Sequence, residues 1–307
     1  MRFHVVLNRE GGTFRTLDME AYRARLATIF SDHGHELTFD VVTSGDLAEA
    51  LERAAGREDA DAMIAGGGDG TVSAAARVAW KSGMPLGVIP AGTMNLFARS
   101  LGLPLDIEQV LPALADATAA SVDISSVNGQ GFIHQVSVGL HPRMVRFRNG
   151  FAFRSRLGKI RASTRAALGV ILDPPAFAAA VDVDGEKRDH MVSMISVSNN
   201  PFGPDPLMFQ DRLDTGRLGL YLAPPLPPAG VARLALDILS GRRDSNPDLD
   251  AFKASRVALR FPKHRRDANM VVDGELVSLP PELVVCMHAG ALSVLKPARE
   301  VAAAAAR

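Results

Sequence analysis

The sequence predicts two unlike halves, an α/β N-terminal domain built as a wound sheet and an all-β, sandwich-like C-terminal domain. Three observations predict it. Residues 1–120 alternate short apolar runs with amphipathic stretches, the pattern of a parallel sheet covered by helices. Past about Asp123 the texture changes to β-branched or alternating runs separated by Gly, Pro and Asp, which favours antiparallel strands. The 307 residues amount to roughly two average domains.

In chain order, Phe3–Leu7 reads as a buried first strand. Asp18 then caps a helix whose Met19, Tyr22, Leu26, Ile29 and Phe30 recur at helical spacing until Gly34 stops it. Leu37–Val42 is a second strand, Asp46 caps a helix running to Gly56, and Ala62–Ala65 is a third strand. The rhythm continues with a helix over Thr71–Lys81, a strand Leu86–Ile89, a turn at Pro90 and a helix over Thr93–Leu101. Strands are then expected at Phe132–Val138, Ala179–Val183, Met191–Val197, Leu218–Leu222, Arg256–Phe261 and Met270–Val272, with a short helix at Val231–Leu239. The domain boundaries follow: 1–122 for the α/β domain, 123–287 for the β-rich domain, 288–300 returning to complete the first, and 301–307 a frayed tail.

Composition narrows the function classes. A hydrophobic fraction of 47% with 22% charged residues is that of an ordered globular chain. Thirty-four basic against 34 acidic residues give no net field, so no nucleic-acid partner is expected. The one cysteine, Cys286, excludes an intramolecular disulfide and a thiolate-rich metal site, which suits a reducing cytoplasm. The first ten residues turn polar after three apolar ones, unlike a signal peptide, and no apolar run approaches the length of a membrane span. Membrane contact is therefore expected to be peripheral.

The sharpest motif is Gly66-Gly67-Gly68-Asp69-Gly70-Thr71, at the end of a strand and the start of a helix. Glycines there let backbone amides approach an anion, and the helix directs its positive end at the same point. A phosphate site is implied, although neither a Walker loop nor a dinucleotide fingerprint is satisfied. A second loop, Pro90-Ala91-Gly92-Thr93-Met94-Asn95, also joins strand to helix and belongs at the same carboxyl edge. Thr93 either caps the helix alone or also donates to a phosphate. Asn95 either holds ribose or metal-bound water or stabilises its own turn. Thr43, ending the second strand, either reaches a nucleotide or forms a turn with Asp46.

These segments, with Leu96-Phe97-Ala98-Arg99, Val122-Asp123-Ile124 and Val272-Asp273-Gly274-Glu275, resemble the diacylglycerol kinase catalytic-domain family, especially its bacterial lipid kinases. The order and spacing cover nearly the whole chain. NAD kinases and phosphofructokinases share the Gly-Gly-Asp-Gly turn, but the four pieces together are specific. The resemblance implies an N-terminal nucleotide domain of the NAD kinase/diacylglycerol kinase type, a β-sandwich-like C-terminal domain, and ATP with magnesium as phosphoryl source. It implies phosphates held by the amides of Gly67, Gly68, Asp69, Gly70, Thr71, Val72 and Ser73, with Thr43, Gly92, Thr93 and Asn95 alongside. Asp69 and Asp123 are the natural carboxylate pair for a magnesium that keeps several of its waters. Glu275 is the implied general base on a lipid hydroxyl. Asp184-Gly185-Glu186 repeats the same three letters in what reads as an ordinary hairpin, so only context separates the two copies.

Where related kinases hold a structural magnesium, Thr215 stands in the aspartate's place, and that site would fall to Asp214 or Asp211. Residues 143–165 carry Arg143, Arg146, Arg148, Arg154, Arg156, Lys159, Arg161 and Arg165 among aromatic and aliphatic residues without an acidic partner. That segment suits either docking on an anionic membrane surface or a solvated basic helix. The histidines are scattered without metal spacing. The expected protein is thus an ATP-dependent lipid kinase with diacylglycerol or a similar lipid alcohol as substrate, cytoplasmic and peripherally membrane-associated. A homodimer is compatible with it. The alternatives are an NAD kinase-like enzyme with a soluble acceptor and a non-catalytic nucleotide- or lipid-binding regulator.

Overall fold

The computed structural model describes residues 1–149, 173–263 and 267–297. The elements in chain order are β1 (Arg2–Asn8), α1 (Met19–Asp32), β2 (Glu36–Val42), α2 (Leu47–Ala55), β3 (Ala62–Gly67), α3 (Asp69–Ser82), β4 (Leu86–Pro90), α4 (Leu96–Leu101) and α5 (Val110–Ala115). They continue with β5 (Thr118–Val127), β6 (Gln130–Phe132), β7 (Gln135–Gly139), α6 (Leu140–Asn149), β8 (Phe177–Val183), β9 (Glu186–Val192), β10 (Met194–Ser198) and β11 (Leu218–Ala223). Last come α7 (Pro228–Leu239), β12 (Asp250–Ala254), β13 (Arg256–Arg260), β14 (Asn269–Val272), β15 (Glu275–Ser278) and β16 (Glu282–Lys296). They form two compact units. Of the described residues, unit 1 gathers Met1–Ile124, Phe209–Asp214 and those from His288 onward, and unit 2 gathers those within Ser125–Met208 and Thr215–Met287; the tail expected at 301–307 lies outside the described residues. Residues 209–214, which the sequence leaves in the β-rich half, pack with unit 1.

Unit 1 is the wound sheet. Its strands run parallel in the order β2-β1-β3-β4, and Val294 of β16 pairs in parallel with Leu86 beyond β4. Strands with both faces covered lose the polar alternation of a half-exposed strand; accordingly all six residues of β3 and all five of β4 are buried. The first helix forms as its sequence dictates. The Asp18 carboxylate accepts from the amides of Glu20 and Ala21 at 3.0 and 3.2 Å, and Tyr22, Leu26 and Phe30 bury one face. Phe30 meets Phe3 of β1 edge to face at 5.3 Å. Asp46 does not cap α2 with its side chain; its carboxylate instead accepts from the Thr43 hydroxyl at 2.7 Å.

Unit 2 stacks antiparallel strands in two layers. One is the six-stranded order β12-β11-β10-β7-β14-β15; the other pairs β9, β8, β13 and the first part of β16. Val136, Val138, Val181, Ile195, Val197, Leu220, Leu259 and Val285 belong to the apolar core of this unit. Two runs expected as single strands are broken, and in each case the break is where the chain passes from one layer to the other. Met191–Val197 divides at Ser193, whose amide donates to Ala223 O at 2.8 Å and whose hydroxyl accepts from Leu226 N at 3.1 Å. Phe132–Val138 divides at Ile133 and His134, whose amides are taken by the carboxylate of Asp273. Gly290 lies inside β16 at φ 62°.

A loop after β10 is held by a buried arginine. Arg243, 6% exposed, donates to the carbonyls of Phe202 and Gly203 at 3.2 and 3.3 Å and lies over the rings of Phe202 and Tyr221. Tyr221 returns the contact by accepting from Phe202 N at 2.9 Å.

His4 gives unit 1 a pH dependence. The ring is 3% exposed inside β1, with Nδ1 against Thr38 Oγ1 at 2.7 Å and Nε2 at 3.4 Å from Asp40 Oδ2. Burial holds its pKa below the ordinary value despite the nearby Asp40 carboxylate. The unfolded chain therefore binds the proton first, so this contribution to stability is complete above about pH 6.5 and declines as pH falls toward the folded pKa. Urea midpoints of the wild type should drop between pH 7 and 5, and His4→Gln should lose part of that drop.

Candidate functional site

Three loops meet at the carboxyl edge of the parallel sheet in unit 1. After β3, Gly68 is the N-cap of α3 and supplies no side-chain bond to its first turn. Val72 N already donates to Gly68 O at 3.1 Å and Ser73 follows it inside α3, which removes both from the expected anion donors; of the rest, Asp69, Gly70 and Thr71 form the first turn. After β4, the chain turns through residues 90–95 to α4. That helix starts at Leu96 rather than at the expected Thr93, because Asn95 adopts a left-handed conformation at φ 51°.

The cap on α4 comes from Asp69. Its Oδ2 accepts from Asn95 N at 3.0 Å and its Oδ1 from Leu96 N at 2.7 Å. Thr93 is exposed and is not the cap. Asn95 takes the turn-stabilising alternative: Oδ1 accepts from Gly92 N at 2.9 Å and Nδ2 donates to Gly92 O at 3.0 Å. Thr43 likewise spends its hydroxyl on Asp46.

The third loop, residues 8–13 after β1, is the part that sequence reasoning missed. Asn8, 6% exposed, donates through Nδ2 to Thr71 Oγ1 at 3.0 Å and lies 3.4 Å from Ser44 Oγ. Thr13 N donates to Ala91 O at 2.8 Å, and Ala91 N to Gly67 O at 2.9 Å. A Cβ on Gly12, at φ +43°, would lie 1.8 Å from Ala91 O, and one on Gly92 would lie 2.7 Å from the Cα of Gly68. The glycines thus let three backbones touch. The available signal was Gly11-Gly12 just after a predicted parallel strand, since such loops all open at one edge. Glu10 in this loop accepts from Ser44 N at 3.0 Å, and that bond holds its carboxyl below the ordinary range.

Asp123 lies in β5, 2% exposed, and its Oδ1 accepts from Gly290 N at 2.9 Å. Asp214 pairs with Arg212 Nε at 2.9 Å, which holds its carboxyl low, while Thr215 in unit 2 donates its hydroxyl to Asn200 Oδ1 at 2.5 Å. Among the described residues no three His, Cys, Asp or Glu gather as a metal site. The donor chemistry of unit 1 fits a phosphate on the first turn of α3. It also fits a hydrated magnesium, which needs only one or two carboxylates: each Asp69 oxygen keeps a lone pair beyond its amide bond.

Glu275 belongs to unit 2, exposed at the start of β15. The Asp273-Gly274 turn before it has φ 46° and 86°. Asp273 accepts from Ile133, His134 and Gln135 amides at 3.0, 2.9 and 3.1 Å. The second copy is built the same way: Asp184 accepts from Ser255 N at 3.0 Å and Arg256 N at 2.8 Å. Of the basic segment 143–165, Arg143 donates to the Asp173 carboxylate at 2.7 Å and Arg146 to Asn269 Oδ1 at 3.4 Å; residues 150–165 lie outside the described residues. No described helix is long and apolar enough to cross a membrane.

Residues 2–127 match the diacylglycerol kinase catalytic domain, so the family resemblance read from the motifs is borne out. A diacylglycerol kinase of Bacillus subtilis is 27% identical over 277 residues, covering 87% of this chain and 89% of that protein. One from Staphylococcus aureus is 26% identical over 235 residues, covering 75% and 73%. The fold is that of a diacylglycerol kinase structure from Bacillus anthracis, with TM-score 0.69 at 16% identity and 98% of each chain covered. A second structure from that organism gives 0.74 at 20% identity.

Asp69→Ala should remove two charge-assisted bonds and cost about 2–4 kcal/mol. Amide exchange should accelerate first at Asn95 and Leu96, the two donors it deprives.

Proposed function

We propose that this protein is an ATP-dependent lipid kinase that transfers the γ-phosphoryl group to the hydroxyl of diacylglycerol or a similar lipid alcohol. One observation carries the reading. Within the stretch that matches the diacylglycerol kinase catalytic domain, the Asp69 carboxylate joins the glycine turn before α3 to the loop before α4.

In this reading the amides of Asp69, Gly70 and Thr71 bind the phosphates at the positive end of α3. Asp69 would hold magnesium through its remaining lone pairs, with Asp123 in the same network as the family resemblance implies, and the ion would supply neutralisation of the phosphate charge. Asn8 and Asn95 hold the surrounding loops in place, so the donors are preorganised before nucleotide arrives. Glu275 takes the proton from the acceptor hydroxyl, a role that rests on the resemblance of Asp273-Gly274-Glu275 to the family motif. Phosphoryl transfer asks for positioning and charge neutralisation rather than covalent chemistry by the protein, and rigid backbone loops supply the first of these.

The acceptor is tested by following labelled phosphate from ATP into mixed micelles of diacylglycerol, with NAD as the soluble competitor. Label in the lipid supports the reading, and label in NAD alone overturns it. Glu275→Gln should keep ATP binding while turnover falls by about 10²–10⁴-fold, the range expected for loss of a general base. An unchanged rate removes Glu275 from that role.

A further inference from the structure

Unit 2 holds a cavity of about 630 Å³ at the end of β7 that leads into α6. The volume lies within the range of about 300–1,000 Å³ typical of small-molecule sites. Its wall is apolar, formed by Val138, Phe177, Met191, Phe261 and Leu279 from both layers of the sandwich. Its rim is not. Arg143, Arg146, Lys263 and Asp267 line the same cavity.

The rim charges are unequally committed. Arg143 is neutralised by Asp173 at 2.7 Å. Arg146 has the neutral amide oxygen of Asn269 as its described hydrogen-bond partner and no carboxylate within ion-pair distance among the described residues. Lys263 is exposed on the same rim, which carries one further negative charge at Asp267. An apolar interior under a net positive mouth is the complement of a molecule with a hydrocarbon tail and an anionic head.

We propose that this cavity binds a single-chain anionic amphiphile, its tail among Val138, Phe177, Met191, Phe261 and Leu279 and its carboxylate or phosphate head at Arg146 and Lys263. A neutral diglyceride has no use for those cations. The cavity also lies at the Asn269 end of β14, whereas the Asp273-Gly274 turn and Glu275 lie at the Val272 end, three strand residues or about 10 Å away. The inference rests on the cavity's lining and not on the phosphotransfer reading.

The test uses the full chain without nucleotide, titrated below micellar concentrations with oleate, oleoyl-lysophosphatidate and the neutral monooleoylglycerol. Saturable binding of oleate or lysophosphatidate is expected, at least tenfold tighter than monooleoylglycerol and weakening as salt is raised. The two anions distinguish a carboxylate from a phosphate head. Arg146→Gln should weaken binding about tenfold. So should Met191→Glu, placed at a side chain already 54% exposed and so tolerant of the change. Ala178→Trp should block all three ligands, with circular dichroism confirming each fold. Equal binding of monooleoylglycerol and oleate, indifference to Arg146→Gln, or no saturable binding of either anion overturns the proposal.

Discussion

The carboxylate of Asp69 is shared between two helix beginnings, and the geometry of the carboxyl edge in unit 1 depends on that sharing. It is the first residue of α3, where negative charge is favoured, and it accepts the amides that open α4. Because both oxygens are engaged, the turn at 90–95 cannot drift away from the glycines at 66–68. Asn95 is then held in a left-handed conformation and α4 starts at Leu96. An aspartate that sequence logic reserves for a cation is thus a structural tie, with a lone pair on each oxygen left over beyond its amide bond.

Close approach of backbones is the second constraint on that edge. Side chains at Gly12, Gly67 or Gly92 would collide with Ala91 O, with Thr71 or with the Cα of Gly68. The loops after β1, β3 and β4 consequently form one hydrogen-bonded layer, through Thr13 N to Ala91 O and Ala91 N to Gly67 O. A layer locked in this way presents amides in fixed directions, which suits recognition of an anion with little reorganisation.

In unit 2 the same chemistry serves a different purpose. The carboxylates of Asp273 and Asp184 each follow a strand, sit in a left-handed turn and accept amides from another segment. Asp273 takes the amides of Ile133, His134 and Gln135 at the point where β6 gives way to β7 and the chain changes layers. The aspartates of the two Asp-Gly-Glu copies are therefore structural alike. A functional difference between the copies must come from the glutamates and their surroundings.

Much of the molecule was legible in the sequence because local periodicity reports burial. The strands and helices of unit 1 through β4, the cap at Asp18 and the change of texture past Asp123 follow from patterns a few residues long. The glycine turn was legible as a close approach of backbones for the same reason, since its conformational demand is local. What the sequence left open depended on partners distant in the chain. Phe132–Val138 reads as one strand until Asp273, nearly 140 residues later, claims the amides in its middle. Thr93 reads as a helix cap until Asp69 proves to be the residue within reach. Asn8 carries no signal until Thr71 is placed beside it. Residue type and spacing determined which elements form, whereas tertiary structure alone decided which polar group satisfies which, because a hydrogen bond of about 3 Å is specified by position in space and not by separation along the chain.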